Sequence, residues 1–178
     1  MRRSMILSAV TAALMAGTSV AQAEDVILTA VPHQTTAFAE VYNPFNQTSD
    51  VRSVRDFMFE QLVVFNRIQG GKAEYRLAES FDYSEDLSSV TFKIRDGVKW
   101  SDGETLDAND VYFTFNLIKE HPALDTRALW EKIDSVELID DQHVKVNYKE
   151  PSTGLIFDVA RIHTVPEHIW ADIEDPVS

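Results

Sequence analysis

The sequence predicts a mixed α/β (α+β) fold in which short strands alternate with amphipathic helices. Three observations support this prediction. Apolar residues repeat with a helical period in some segments and alternate with polar residues in others, and glycine, proline or aspartate separates these segments. Neither an internal repeat nor a low-complexity tract interrupts the pattern. The chain of 178 residues is long enough for one domain, or for a piece of a larger one.

The first predicted strand precedes a long polar loop. Val26–Val31 is a nearly continuous apolar run closed by Pro32, which is typical of a strand buried on both faces. Residues 32–50 are mostly polar and contain Asn43-Pro44-Phe45-Asn46, which indicates a turn.

An amphipathic helix is predicted next. Ser49 or Asp50 is its expected cap, and Gly70-Gly71 breaks the pattern beyond it. Apolar residues recur there at steps of three and four, on one helical face: Val51, Val54, Met58, Leu62 and Phe65.

A strand and a capped helix follow in the middle of the chain. Alternation of apolar and polar residues from Val90 to Ile94 predicts a strand with one solvent-exposed face. Asp96-Gly97 and Asp102-Gly103 indicate turns. Asp107 is the predicted cap of a helix that Pro122 stops, and its apolar stripe consists of Ala108, Val111, Phe115 and Ile118.

A hairpin and two further helices are predicted in the last part. Alternating residues on either side of Asp140-Asp141-Gln142 predict a hairpin over residues 136–148. A helix is expected from Thr153 to Ala160, and Pro166 opens another through Trp170.

Residues 1–23 have the organisation of a secretory signal peptide. Arg2 and Arg3 form a basic start, Met5–Ala16 is an apolar run, and Ala21-Gln22-Ala23 is a small-x-small cleavage site. The apolar run is shorter than the ~20 residues that cross a bilayer. These features favour export over the alternative of a buried N-terminal helix. We therefore expect cleavage after Ala23 and a soluble mature chain in a bacterial periplasm.

Charge and cysteine content exclude several functional classes. Sixteen Lys and Arg against 29 Asp and Glu give a net charge of −13, and the chain has no Cys. Such an acidic chain repels nucleic-acid phosphates and anionic lipid. Without Cys it forms no disulfide, Cys-ligated zinc site, iron–sulfur cluster or thiol nucleophile.

The sequence contains residues that resemble catalytic and metal-binding motifs, but none of them has the required spacing. Gly71-Lys72 lacks both the upstream glycine and the following Ser or Thr of a phosphate loop. His163, Glu167 and His168 form H-x-x-x-E-H, which is not the spacing of a zinc-binding helix, and there is no G-x-S-x-G elbow. We therefore expect no catalytic residues, no metal and no cofactor, with histidines that are hydrogen-bonded or face solvent.

Several blocks of the sequence occur in an order and spacing that resemble a known family. The blocks are Met58–Val64, Leu77–Phe81, Val90–Trp100, Ser101–Val111 and Thr164–Trp170, and the strongest piece runs from Phe92 to Gly103. They resemble the extracytoplasmic solute-binding proteins of ABC importers, family 5, which includes oligopeptide-, dipeptide-, nickel- and cellobiose-binding proteins. The resemblance covers essentially all of residues 24–178.

This resemblance implies a periplasmic binding protein-like lobe. The full-length fold would be a type II clamshell whose two lobes close on a solute by a hinge motion. Family members are much longer than this chain. We therefore expect residues 24–178 to be the N-terminal part of lobe I, with the second lobe and the returning C-terminal segment absent.

The resemblance also implies a function. The protein is expected to be a monomeric receptor that captures a small solute, foremost a peptide, and delivers it to ABC transporter permease subunits at the inner membrane. The protein is expected to catalyse no reaction and to bind no nucleic acid. An oligosaccharide of the cellobiose type is the alternative ligand. An exported enzyme or chaperone-like module that shares these blocks is the alternative of another class.

Candidate ligand-binding residues lie in two loops and at one tryptophan. Loops at strand ends and helix starts offer free backbone N–H groups, which favours His33 and Gln34 after the first strand. In oligopeptide-binding relatives the segment before the first helix lines the groove, which favours Asn46, Gln47, Thr48, Ser49 and Asp50. Trp130 lies near the place where relatives offer an aromatic ring to the ligand. The alternative for Trp130, packing against the core, stays open, and Trp100 is expected to be a structural anchor.

Overall fold

The computed structural model describes residues 42–46 and 55–177. The predicted signal peptide and the first predicted strand lie outside these residues. The helices and strands of the described part are α1 (residues 55–58), β1 (Val63–Asn66), β2 (Lys72–Tyr75), β3 (Ala78–Tyr83), β4 (Ser89–Ile94), α2 (Ala108–Glu120), β5 (Ile133–Asp140), β6 (His143–Tyr148), α3 (Ile156–Val159) and α4 (Glu167–Trp170). This mixture of strands and helices is the fold class that the sequence predicts.

A four-stranded antiparallel sheet in the order β3-β4-β6-β5 carries the core. In its centre Phe92 pairs with Val144 and Val90 with Val146, and all four side chains are buried. Helix α2 packs against β5 and β6. Burial of such apolar side chains contributes about 1.5–3 kcal/mol each, so this layer is the main source of stability.

Helix α2 begins with a capping box. The Asp107 side chain accepts a hydrogen bond from the Asn109 backbone N–H at 2.8 Å, and Asp110 Oδ2 accepts one from the Asp107 backbone N–H at 3.3 Å. The helix ends at Glu120, before Pro122. The predicted cap, the predicted stop and the buried stripe of Ala108, Val111, Phe115 and Ile118 are confirmed.

The helix predicted from residue 51 through Phe65 is wrong beyond residue 58. Val63–Asn66 is instead strand β1, which pairs antiparallel with β2. The backbone N–H groups of Leu62 and Val63 both donate to the Ala160 carbonyl, at 3.0 and 3.1 Å. These distant partners and the β-branched valines favour extended backbone over the helical spacing of the apolar residues.

Three further elements differ from expectation. The helix predicted from Thr153 to Ala160 is only Ile156–Val159, because the Ser152 hydroxyl accepts bonds from the N–H groups of Gly154 and Leu155 and holds a turn. Strands β2 and β3 were not predicted. Strand β2 is short and exposed at both ends, and a bulge between Ala78 and Ser80 interrupts β3.

Strand β4, the β5–β6 hairpin and α4 after Pro166 are confirmed.

Candidate ligand-binding site

The structure describes only part of the predicted ligand-binding set. Asn46 and Trp130 belong to the described residues. The other predicted residues lie outside them and stay predictions: His33, Gln34, Gln47, Thr48, Ser49 and Asp50.

Asn46 ends the turn that the sequence predicts at residues 43–46. The Asn43 Oδ1 atom accepts a hydrogen bond from the Phe45 N–H at 3.0 Å, and the Asn43 carbonyl accepts one from the Asn46 N–H at 3.1 Å. The Asn43 side-chain amide donates to the Pro176 carbonyl at 2.8 Å. The turn is therefore tied to the last described residues.

Trp130 is anchored to helix α2. Its indole Nε1 donates to the Phe115 carbonyl at 3.0 Å, and its backbone N–H donates to Asp125 Oδ2 at 2.9 Å. The Lys119 ammonium lies 4.4 Å from the centre of the ring, a cation–π contact. The ring is therefore held in one orientation, and its role as a ligand platform stays a prediction.

A polar cluster is centred on the buried His163 and joins it to the buried Gln61 and the exposed Asp56. The ring nitrogen Nε2 lies 3.0 Å from Asp56 Oδ1 and 3.1 Å from Gln61 Nε2, and the residue is only 5% exposed. A neutral imidazole nitrogen either donates or accepts, so the tautomer decides whether Nε2 bonds to Asp56 or to Gln61. An isolated backbone bridge also joins Gln61 to His163.

Burial keeps His163 uncharged at neutral pH. Desolvation, reinforced by Arg55, lowers the pKa of His163 to about 4, although Asp56 acts in the opposite direction. Desolvation dominates because a buried imidazolium loses its hydration. His163 is therefore a neutral hydrogen-bonding group beside charged neighbours.

Two cavities flank this cluster. The larger, of about 540 Å³, has a size typical of small-molecule sites and is lined by charged residues of both signs, namely Asp56, Glu60, Asp158, Arg67, Arg76 and Arg161, together with residues that include Phe65 and Phe157. The smaller, of about 30 Å³, is lined by Arg55, Arg127, Arg161 and His163, with Pro44 and Phe45 among its other residues. Arg161 lines both cavities. No sequence motif indicated this region, because its residues are far apart along the chain.

The two histidines of the rejected zinc motif have separate partners. His163 is in the cluster above, whereas His168 Nε2 lies 2.8 Å from Asp102 Oδ2 on the surface. Over residues 42–46 and 55–177, no group of three His, Cys, Asp or Glu side chains could hold a metal ion. In the same ranges, no helix has the length and apolar character needed to cross a membrane.

Comparison with known families and sequences identifies relatives of the chain. The family described as bacterial extracellular solute-binding proteins, family 5 Middle, matches residues 72–177, which is more than half of the chain. A putative ABC transporter peptide-binding protein of Brucella ovis is 33% identical over 117 residues, which are 65% of this chain and 22% of that protein.

Solved structures share the fold. A mannohexaose-bound periplasmic oligopeptide-binding protein from Thermotoga maritima has a TM-score of 0.60 and 26% identity, over 65% of this chain and 21% of its own. NikZ from Campylobacter jejuni, in complex with Ni(L-His), has a TM-score of 0.64 and 27% identity, over 76% of this chain and 27% of its own. These neighbours confirm the predicted periplasmic binding protein-like fold class.

The chain spans about a fifth of the length of the curated relatives it matches. The match to the family nevertheless extends from β2 to the last described residue. The chain therefore belongs to the bacterial extracellular solute-binding proteins of family 5.

Proposed function

We propose that the protein is the periplasmic substrate-binding component of an ABC transporter. It captures a small solute, foremost a peptide, and delivers it to the membrane permease for uptake without changing it chemically. The observation that carries this proposal is the family match over residues 72–177, together with relatives described as peptide-binding proteins. Residues 1–23 direct export, and residues 24–178 form the N-terminal part of the first lobe of a monomeric receptor.

The larger cavity beside His163 supports a peptide ligand. A peptide carries an amine, a carboxylate and amide groups, and the cavity offers arginine side chains as well as Asp56, Glu60 and Asp158. Charge-assisted hydrogen bonds to groups of both signs suit such a zwitterionic solute. Phe65 and Phe157, whose rings lie 4.7 Å apart, add apolar surface for side chains.

An oligosaccharide is the second candidate ligand. The Thermotoga relative binds mannohexaose, although it is described as an oligopeptide-binding protein. A sugar would be held by stacking on an aromatic ring, for which Trp130 is the predicted platform, and by carboxylate and amide contacts.

A ligand screen with product analysis tests the proposal. The purified mature protein is incubated with peptide and oligosaccharide libraries, its melting temperature is measured, and the bound compound is recovered for mass spectrometry. A raised melting temperature with unaltered ligand is expected of a receptor, because a ligand that binds only the native state stabilises it. Recovery of a converted product would instead identify an exported enzyme, and a lack of any binding would overturn the receptor function.

A further inference from the structure

Cationic side chains converge on the small pocket beside His163. Arg55 from α1, Arg127 from the segment between α2 and β5, and Arg161 after α3 line it together with His163. The chain as a whole carries a net charge of −13, so a group of three arginines around one pocket is unexpected from its composition. The pocket, of about 30 Å³, has room for a group about the size of one or two water molecules.

Two of the three arginines of this pocket, Arg127 and Arg161, make no ion pair in the described part of the chain, whereas Arg55 lies 3.4 Å from Asp56 Oδ1. The Arg127 Nη1 atom is buried and has no hydrogen-bond partner in the described part of the chain. The side chain of Arg161 likewise makes no hydrogen bond or ion pair there. Arg161 is exposed, so water can solvate its donors, whereas the buried Nη1 donor of Arg127 costs free energy unless an acceptor reaches it.

Three carboxylates near the pocket already have partners. Asp56 lies 3.4 Å from Arg55 Nε and 3.0 Å from His163 Nε2. The two oxygens of Asp125 accept hydrogen bonds from the backbone N–H groups of Leu129 and Trp130, at 2.8 and 2.9 Å. Asp158 lies 3.2 Å from the Lys132 ammonium. The pocket therefore keeps an excess of positive charge, and burial, followed by the neighbouring Arg161, lowers the pKa of Arg127.

We propose that Arg55, Arg127 and Arg161 form an oxyanion-binding pocket that takes a carboxylate group of the transported solute. A guanidinium presents paired N–H donors that match the two oxygens of a carboxylate. Because Arg161 also lines the larger cavity, a carboxylate held here can belong to a solute in that cavity. This inference rests on the proposed solute-binding function and specifies the chemistry of its ligand.

Peptides with and without a terminal carboxylate test the pocket. The affinities of trialanine and trialaninamide are measured by calorimetry on the wild-type protein and on Arg127→Gln, Arg127→Lys and Arg95→Gln. We expect trialanine to bind about tenfold more tightly than its amide. Arg127→Gln should remove this preference, and Arg127→Lys, which keeps the charge but not the paired donors, should retain part of it. Arg95→Gln changes an exposed arginine outside the site and should leave the preference intact.

A second measurement separates the pocket from the proposed function. The arginine Nε–H signals are followed by NMR during titration with sodium acetate, with sodium chloride at equal ionic strength as control. Saturable shifts of Arg127 and Arg161 with acetate alone support the pocket, even if no peptide binds and the peptide-receptor function fails. Equal binding of both peptides, unaffected by Arg127→Gln, overturns the pocket and leaves the receptor function standing. No response to acetate and no peptide binding overturn both.

Discussion

The Trp100 indole nitrogen lies 3.0 Å from Oδ2 of the buried Asp110. The same carboxylate accepts hydrogen bonds from the backbone N–H of Asp107 at 3.3 Å and, through Oδ1, from that of Glu167 at 2.9 Å. One side chain therefore connects the turn after β4, the start of α2 and the start of α4. Three of the blocks that resemble the family, Val90–Trp100, Ser101–Val111 and Thr164–Trp170, meet at this carboxylate, which gives them a structural role in the fold.

Asp110→Ala is expected to lower the free energy of unfolding by about 2–3 kcal/mol. The substitution leaves three donors without their charged acceptor, and two of them, on Trp100 and Glu167, join separate parts of the fold. Urea denaturation followed by circular dichroism measures the change. Trp100→Phe is the matched control, because it removes only one donor and should cost about 1 kcal/mol. Equal effects of the two substitutions would contradict the connecting role of Asp110.

His163 makes the stability of the protein depend on pH. Its pKa is lowered to about 4 in the folded state, whereas an unfolded histidine has a pKa of about 6.5. The neutral ring therefore contributes stability that is fully present above pH ~6.5 and is lost as the pH falls towards about 4, because the unfolded state binds the proton first. Between pH 7 and pH 4 this loss is about 3 kcal/mol.

Comparison with His163→Gln isolates this contribution, because the other titrating groups are common to both proteins. The free energy of unfolding of each is measured by urea denaturation from pH 4 to pH 7. The wild type should lose about 3 kcal/mol more than the variant over this range. Parallel pH profiles for the two proteins would mean that His163 titrates normally in the folded state.

The elements predicted correctly are those whose signals are local. The Asp107 cap, the alternation in β4 and the acidic turn of the β5–β6 hairpin each depend on a few neighbouring residues. Strand β1 could not be predicted in this way. Its apolar residues also fit a helical face, and its extended backbone depends on pairing with β2 and on the distant Ala160 carbonyl.

The candidate site was even harder to predict from local sequence signals than strand β1. The sequence and its family resemblance favoured two polar loops and the ring of Trp130. The arginine pocket depends instead on Arg55, Arg127 and Arg161, which belong to three separate segments and share no motif. Only the packing of α1, α3 and the segment before β5 brings them together, so no pattern along the chain indicated the pocket.

Asp102 and His168 form a hydrogen-bonded surface pair that lowers the pKa of Asp102 and raises the pKa of His168. The hydrogen bond to Asp102 raises the pKa of His168 above its ordinary value. The pair therefore stabilises the fold below pH ~6.5, and this contribution is lost as the pH rises through the raised pKa of His168. In Asp102→Asn the pKa of His168, measured by NMR titration of the ring, should fall towards about 6.5.

Asp96→Asn is the control for this pair, since it removes another exposed carboxylate, from the neighbouring turn. It should leave the titration of His168 unchanged. Added salt should reduce the shift in the wild type, because exposed charges are screened. An identical His168 pKa in the wild type and Asp102→Asn would exclude the pair as its cause.

Export should remove the first 23 residues. When the full sequence is expressed in a Gram-negative bacterium, the protein in the periplasmic fraction should begin at Glu24, as determined by mass spectrometry. Replacing Ala21 and Ala23 by bulky residues should leave uncleaved precursor in the membrane fraction. Protein that keeps Met1 and stays in the cytoplasm would contradict the proposed localisation.

Trp130 offers the sharpest test of the predicted aromatic platform. Stacking of a sugar ring or an apolar side chain is worth about 0.5–1.5 kcal/mol, so Trp130→Ala should weaken ligand binding by up to about tenfold. The substitution also removes the bond to the Phe115 carbonyl, and lost packing could weaken binding indirectly. Trp130→Phe separates the two effects, because it loses the same bond but keeps an aromatic face. We expect Trp130→Phe to be destabilised in urea but to retain most of its affinity in calorimetry. If Trp130→Ala binds the ligand as tightly as the wild type, Trp130 serves only to hold the segment before β5 against α2.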